Sequence, residues 1–194
     1  MNIVLIGASA SGKSTLQNML INHNPRFKKI VTYTTRPKRE GEKDGIDYHY
    51  VSVEKFNELV KDGFFAEYNS YREWFYGTPK HELENEDEDH IIVLTPAGYR
   101  ELKKQNIKAL SVYIDVDRRS RLINNLKRGD NIEEAYRRNL SDVGSFDGVC
   151  NEVDYVIDNT QYKHNECDML QRLLNIIEIE QLRKGSDEGY FFKS

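Results

Sequence analysis

The chain has 194 residues, enough for one ordinary domain with small excursions. Its 28 Lys and Arg stand against 32 Asp and Glu, a net charge of −4, which disfavours a general nucleic-acid binder. No apolar run approaches a membrane span and Ile3–Ile6 lacks the basic leader of a signal peptide; Cys150 and Cys167 make neither a disulfide framework nor a metal-ligand spacing, so a reducing cytoplasm is the expected setting.

Asn2–Ile6 is a short continuous apolar run, the pattern of a parallel strand buried on both faces. A small polar turn over 7–12 follows, and Lys13–Asn22 reads as a helix that ends near Pro25. Ile30–Tyr33 is expected to be a second strand, and 36–47 a charged loop. Seven basic and two acidic side chains fall within 26–43, a local excess that suits a small anionic ligand better than a polyanion. His49–Val51 reads as a short strand, Val53–Lys61 as an amphipathic helix closed by Gly63, and Phe64–Tyr68 as another strand. Five acids and no base occupy 84–89, a solvated turn.

Beyond that turn, His90–Leu94 is a second buried apolar strand, and Pro96 can start the helix after it. Leu110–Val116 reads as a further strand, with Asp117 as N-cap of a helix over Arg118–Lys127. Asn131–Leu140 continues helical after Gly129, Tyr155–Ile157 is the last buried strand, and His164–Leu182 a long helix. Gly185–Ser194 reads as a frayed tail carrying Tyr190, Phe191 and Phe192. Apolar strands alternating with helices indicate an α/β fold, three layers around a parallel sheet of five strands. Two segments interrupt the alternation: a small mixed α/β insertion over 32–84 and an arginine-rich helical one over 119–148. The expected organisation is a single domain with a core of 1–31, 85–118 and 149–183, two mobile flaps, and a tail at 184–194.

Gly7, Ala8, Ser9, Ala10, Ser11, Gly12, Lys13 and Ser14 match G-x-x-x-x-G-K-[ST], and Thr15 follows. The match leaves a predicted strand and opens a predicted helix, the context the chemistry requires. Its backbone N–H groups can curl around an anion, and the helix adds its positive end at the same point. Lys13 supplies a mobile charge for β- and γ-phosphates, and Ser14 a neutral oxygen for Mg²⁺. No Asn-Lys-x-Asp segment for guanine in a GTPase is present. A phosphotransferase with a separate acceptor site fits best.

The basic patch has internal order: Thr32, Tyr33, Thr34, Thr35, Arg36, Pro37, Lys38 and Arg39, then Gly41-Glu42, then Gly45-Ile46-Asp47-Tyr48. Phe65-Ala66-Glu67 and Tyr76-Gly77-Thr78 follow. This succession resembles the guanylate kinase family, in which T-T-R-x-x-R-x-G-E, G-x-D-Y, F-x-E and Y-G-[ST] follow the phosphate loop in this order. The resemblance implies a P-loop nucleoside monophosphate kinase using ATP and Mg²⁺, with nucleotides rather than nucleic acid or membrane as partners. It assigns Arg36, Arg39, Tyr48 and Tyr76 to the acceptor's phosphate. Glu67 would take guanine's N1–H and exocyclic amine, with Thr32, Gly77 and Thr78 beside the base. A carboxylate asking for two donors should reject adenine, which lacks that pair.

The segment Arg128-Gly129 through Glu133-Glu134 to Arg137-Arg138 is similar to the family's lid, so Arg128 and Arg138 join Lys13 as expected catalytic cations. Aligned on Glu133 and Glu134, the family's second lid arginine falls on Asn139, with Arg138 next to it. Asn159 matches the position that approaches the adenine of ATP. One departure concerns the strand before Pro96: the family usually carries aspartates there, and this chain has Val93, Leu94 and Thr95. Asp115, at the end of the next strand, is the alternative acid for the metal's water shell; merely preceding a helix is its other reading. A different phosphate acceptor, and a non-catalytic module that binds phosphorylated proteins, remain alternatives. Such modules generally lose the phosphate loop, which is intact here.

Overall fold

The structure, a computed structural model, describes residues 1–189 apart from Arg72, Glu86, Arg128 and Asp130. It opens with β1 (Asn2–Ile6), α1 (Lys13–His23), β2 (Phe27–Lys29), β3 (Tyr33–Thr34), β4 (His49–Tyr50) and α2 (Val53–Lys61). Next come β5 (Phe65–Tyr71), β6 (Trp74–Pro79), the single turn α3 (Lys80–Leu83), β7 (Asp89–Leu94) and α4 (Pro96–Lys104). The rest comprises β8 (Leu110–Asp115), α5 (Arg118–Lys127), α6 (Ile132–Ser141), β9 (Tyr155–Asp158) and α7 (Glu166–Gly189).

Five parallel strands in the order β2-β7-β1-β8-β9 form the main sheet. Side chains alternate across β1, so Ile3 and Leu5 enter one core layer while Val4 and Ile6 enter the other. The first layer is closed by Leu16 and Leu20 of α1 with Met169, Leu173 and Ile177 of α7. Tyr99 and Leu102 of α4 close the second, with Ile30 and Val149. Because β1 lies between β7 and β8, their carboxyl ends converge where β1 gives way to the glycine-rich turn. Open α/β sheets place ligands at such an end.

A smaller sheet, β4-β3-β6-β5, projects from this core. Phe56 of α2, which is fully buried, stacks on Phe65 and Phe75 with ring centroids 4.7 and 5.5 Å away. These aromatic contacts seat α2 on the sheet; its start is fixed by the Ser52 hydroxyl, which accepts from the Lys55 amide.

Two expectations are corrected. Ile30–Tyr33 is not one strand: Phe27–Lys29 pairs with β7 in the main sheet, Ile30 plugs the α4 layer, and Tyr33–Thr34 pairs with β6 in the small sheet. The segment is apolar because it crosses between two sheets. The last helix also continues past Leu182 and Gly185 to Gly189, in place of a frayed start to the tail; Tyr190, Phe191 and Phe192 lie outside the described residues. Among the described residues no helix is long and apolar enough to cross a membrane, and both cysteines are free and exposed.

Candidate active site

At the end of β1 the backbone turns so tightly that a Cβ on Gly7 would lie 2.5 Å from Ser11 Oγ and 2.9 Å from the Ile114 carbonyl oxygen. Glycine is required there by space. The turn is closed by the Ser11 amide donating to Ala8 O at 3.1 Å, with Ala10 in the left-handed region at φ 63°. From outside, the Tyr162 hydroxyl donates to Ala10 O at 2.6 Å. Gly12 precedes the first turn of α1, where Ser14 and Thr15 are exposed. Lys13 folds back over the loop, its ammonium donating to Ala8 O at 2.8 Å and Ser11 Oγ at 3.4 Å. Enclosure lowers its pKa to about 8, against the pull of Asp142 and with a push from Arg121.

Those two charges form a lock on the loop. Asp142, just beyond α6, accepts the Ser9 amide at 2.8 Å and Arg121 Nη1 at 3.1 Å on the same oxygen, Oδ2. Arg121 also donates to Val116 O and Ser9 O. Both side chains are buried, so removing the carboxylate strands a guanidinium. Asp142→Ala is expected to cost about 3 kcal/mol, read in a melting experiment as a Tm about 6–12 °C lower.

On the small sheet, Arg36 is only 4% exposed, although it sits in a charged loop. Its Nη2 donates to Glu42 Oε1 at 2.7 Å and its Nη1 to Pro37 O at 2.9 Å. Burial works against the charge, but the Glu42 hydrogen bond and charge outweigh it and hold the guanidinium above its ordinary pKa. The other Glu42 oxygen accepts the Tyr50 hydroxyl at 2.7 Å and the Arg39 amide at 2.8 Å. Burial would raise the Glu42 pKa, yet these donors and Arg36 bring it down to about 2. The Tyr48 ring stands 5.2 Å from the Arg36 guanidinium carbon, and Tyr76 packs edge-on to Tyr48 at 6.0 Å. Burial raises the Tyr48 pKa, so its hydroxyl stays a donor. The Arg39 side chain is exposed, and Thr32, half-buried, holds β4 through its carbonyl. Glu42, which sequence reasoning saw only as a motif letter, is therefore the residue that orients Arg36.

Glu67 is 2% exposed and lies opposite Thr78 across the β5–β6 pair. Thr78 Oγ1 donates to its Oε1 at 2.5 Å, and Asn69 Nδ2 donates to its Oε2 at 3.1 Å. Burial raises the Glu67 pKa, these two donors lower it, and Glu101 on α4 raises it. The carboxylate rests against the first turn of α4: a Cβ on Gly98 would stand 2.8 Å from Oε2. Thr95 caps that helix by accepting the Gly98 amide. Since Ile6 pairs with Leu94, the turn beneath Glu67 begins beside the phosphate loop. Gly77 faces Phe65, leaving no room for a side chain.

A family model described as guanylate kinase matches residues 1–177. The chain belongs to the guanylate kinase family. A curated guanylate kinase from Nitratidesulfovibrio vulgaris is 39% identical over 143 residues, covering 72% of this chain and 69% of the relative. One from Nostoc sp. is 33% identical over 165 residues, with 83% of each chain covered. Among solved structures, guanylate kinase from Anaplasma phagocytophilum shares the fold with a TM-score of 0.69 at 24% identity, over 92% of this chain and 85% of that one. The three-layer P-loop kinase fold of this guanylate kinase family member is thereby shown.

The family's remaining positions are distributed less evenly. Arg128 lies outside the described residues. Arg138 is half-buried on α6, and its neighbour Asn139 turns inward, accepting from Arg118 Nε of α5. The position aligned with the family's second lid arginine therefore faces the helix pair. Asn159 is 4% exposed, and its Oδ1 accepts the His164 amide, so it shapes the loop after β9. That loop and α5 line a cavity of about 250 Å³ at Ser120, Ile123, Gln161 and Tyr162. Asp115 ends β8, half-buried, accepting the Tyr113 hydroxyl at 3.4 Å. Among the described residues no three His, Cys, Asp or Glu side chains cluster to hold a metal. An exposed Ser14 hydroxyl with Asp115 on the adjoining strand end suits Mg²⁺, which takes few protein ligands beside nucleotide phosphates and water.

Proposed function

We propose that this protein transfers the γ-phosphoryl group of ATP to the phosphate of GMP or dGMP, giving ADP and GDP or dGDP. The observation that carries the reading is Glu67: a buried carboxylate on β5, each oxygen already held by one donor, whose partner strand β6 carries Tyr76 near Arg36. A carboxylate so placed asks for a ligand edge with two donors, and guanine supplies N1–H and an exocyclic amine.

The chain's own groups then divide the work. Arg36, Arg39, Tyr48 and Tyr76 hold the acceptor phosphate and orient the attacking oxygen, which is already ionised and needs no base. Gly7 to Thr15 hold the donor's phosphates, with Lys13 on the transferring group. Arg138 and Arg128 approach it when the 119–148 segment closes, and Asn159 walls the adenine end. Mg²⁺, held by Ser14 and through water by Asp115, would neutralise phosphate charge. Lys13 swings from Ala8 O and Ser11 Oγ to the β- and γ-oxygens, regaining the stabilisation that enclosure removed. Closure of the 32–84 and 119–148 flaps excludes water and suppresses ATP hydrolysis. The cytoplasm, where both nucleotides are found, is the setting this implies.

An ADP-release assay across nucleoside monophosphates and sugar phosphates tests the reading. Turnover is expected with GMP and dGMP, and at least about 100-fold lower kcat/KM with AMP. Turnover confined to another phosphate would overturn it.

A further inference from the structure

Glu67 and Asn69 stand two residues apart on β5, so their side chains share one face of the strand. Donation from Asn69 Nδ2 to Glu67 Oε2 fixes the amide's orientation, since the reversed amide would set two acceptor oxygens against each other. Asn69 Oδ1 is thereby turned away from the carboxylate, enclosed, and has no hydrogen-bond partner among the described residues. A buried carbonyl oxygen in that state is costly and calls for a donor.

Guanine offers one hydrogen at N1 and two on its exocyclic amine. The carboxylate can take N1–H on Oε1, the Thr78 side, and one amine hydrogen on Oε2, the Asn69 side. One amine hydrogen is left. The neighbouring strand end supplies no carboxylate for it, because Val93, Leu94 and Thr95 stand there and the Thr95 hydroxyl oxygen caps α4. Gly98 lets the first turn of α4 back directly onto the pair: a Cβ there would lie 2.8 Å from Glu67 Oε2 and 2.9 Å from Asn69 Nδ2.

We propose that Asn69 is a specificity-determining residue whose Oδ1 accepts the second hydrogen of the guanine exocyclic amine. The assignment rests on the guanine reading of Glu67 and adds a contact to it. IMP, which keeps N1–H and lacks the amine, isolates that contact. In the ADP-release assay Asn69→Ala is expected to lower kcat/KM for GMP by about 5–10-fold, the worth of one neutral hydrogen bond, and to change that for IMP less than about twofold. Asn69→Ser should give the same split between the two nucleotides and replaces the alanine variant if that does not fold. Equal losses on GMP and IMP, or no loss on either, would overturn the assignment, the former because Asn69 would then act only through Glu67. Those outcomes leave the guanine reading standing; a wild-type protein inactive on both nucleotides would remove the two together.

Discussion

Glu67→Gln is expected to lower kcat/KM for GMP by about 100-fold or more while leaving the fold intact. Guanine's edge at N1 and C2 consists of donors alone, and a glutamine amide presents one acceptor and one donor to it. One hydrogen bond is lost and an N–H is set against an N–H in a site 2% exposed. Adenine carries an acceptor at N1 beside its own amine, which an amide can match, so the gap between GMP and AMP should narrow. The wild type should also show an acid limb. Burial raises the Glu67 pKa, so the carboxylate accepts above that raised value and becomes a donor as pH falls through it. The kcat/KM for GMP should fall there, at a pH above the ordinary carboxylate range, and the limb should vanish in the Gln variant. An unchanged GMP profile in Glu67→Gln would remove the residue from the base site.

Lys13→Met is expected to cost about 10³-fold in kcat, roughly 4 kcal/mol of transition-state stabilisation. The side chain stays unbranched, one heavy atom shorter, and loses the ammonium that would follow the moving phosphoryl group. Titration offers an independent check. With a pKa of about 8 in the free protein, Lys13 carries its charge below that value and loses it above. Bound phosphates raise the value again, so ATP affinity should weaken as pH rises through about 8, by about tenfold for each further unit. Calorimetry above pH 8 should register proton uptake on ATP binding, and the Met variant should register none. Uptake of the same size in both proteins would assign the proton elsewhere.

The phosphate loop, α1 and the five-stranded sheet are legible from residue order because each signal is local. Asn2–Ile6 is continuously apolar since the strand is covered on both faces, and G-x-x-x-x-G-K-S needs only its own eight positions. The motifs carrying Arg36, Glu67 and Thr78 are legible as a succession, since one small sheet presents them all. What stays hidden depends on partners distant in the chain. The strand Trp74–Pro79 lacks a turn signal such as Asn-Gly ahead of it, and only its pairing with β3 and β5 makes it a strand. Glu42, Asp142 and Arg121 look like ordinary surface charges until their contacts are seen. Asn69 is equally plain in sequence; only its hydrogen bond to Glu67, which leaves Oδ1 enclosed, singles it out.

The pairing of Arg36 with Glu42 bears on selectivity among anions. A guanidinium already balanced by a carboxylate gains little from chloride or a lone carboxylic acid, since either would have to win against a partner fixed in place by Tyr50 and the Arg39 amide. Glu42 thus keeps the Arg36 guanidinium charged and fixed in direction before any anion arrives, at no cost in rearrangement when one does.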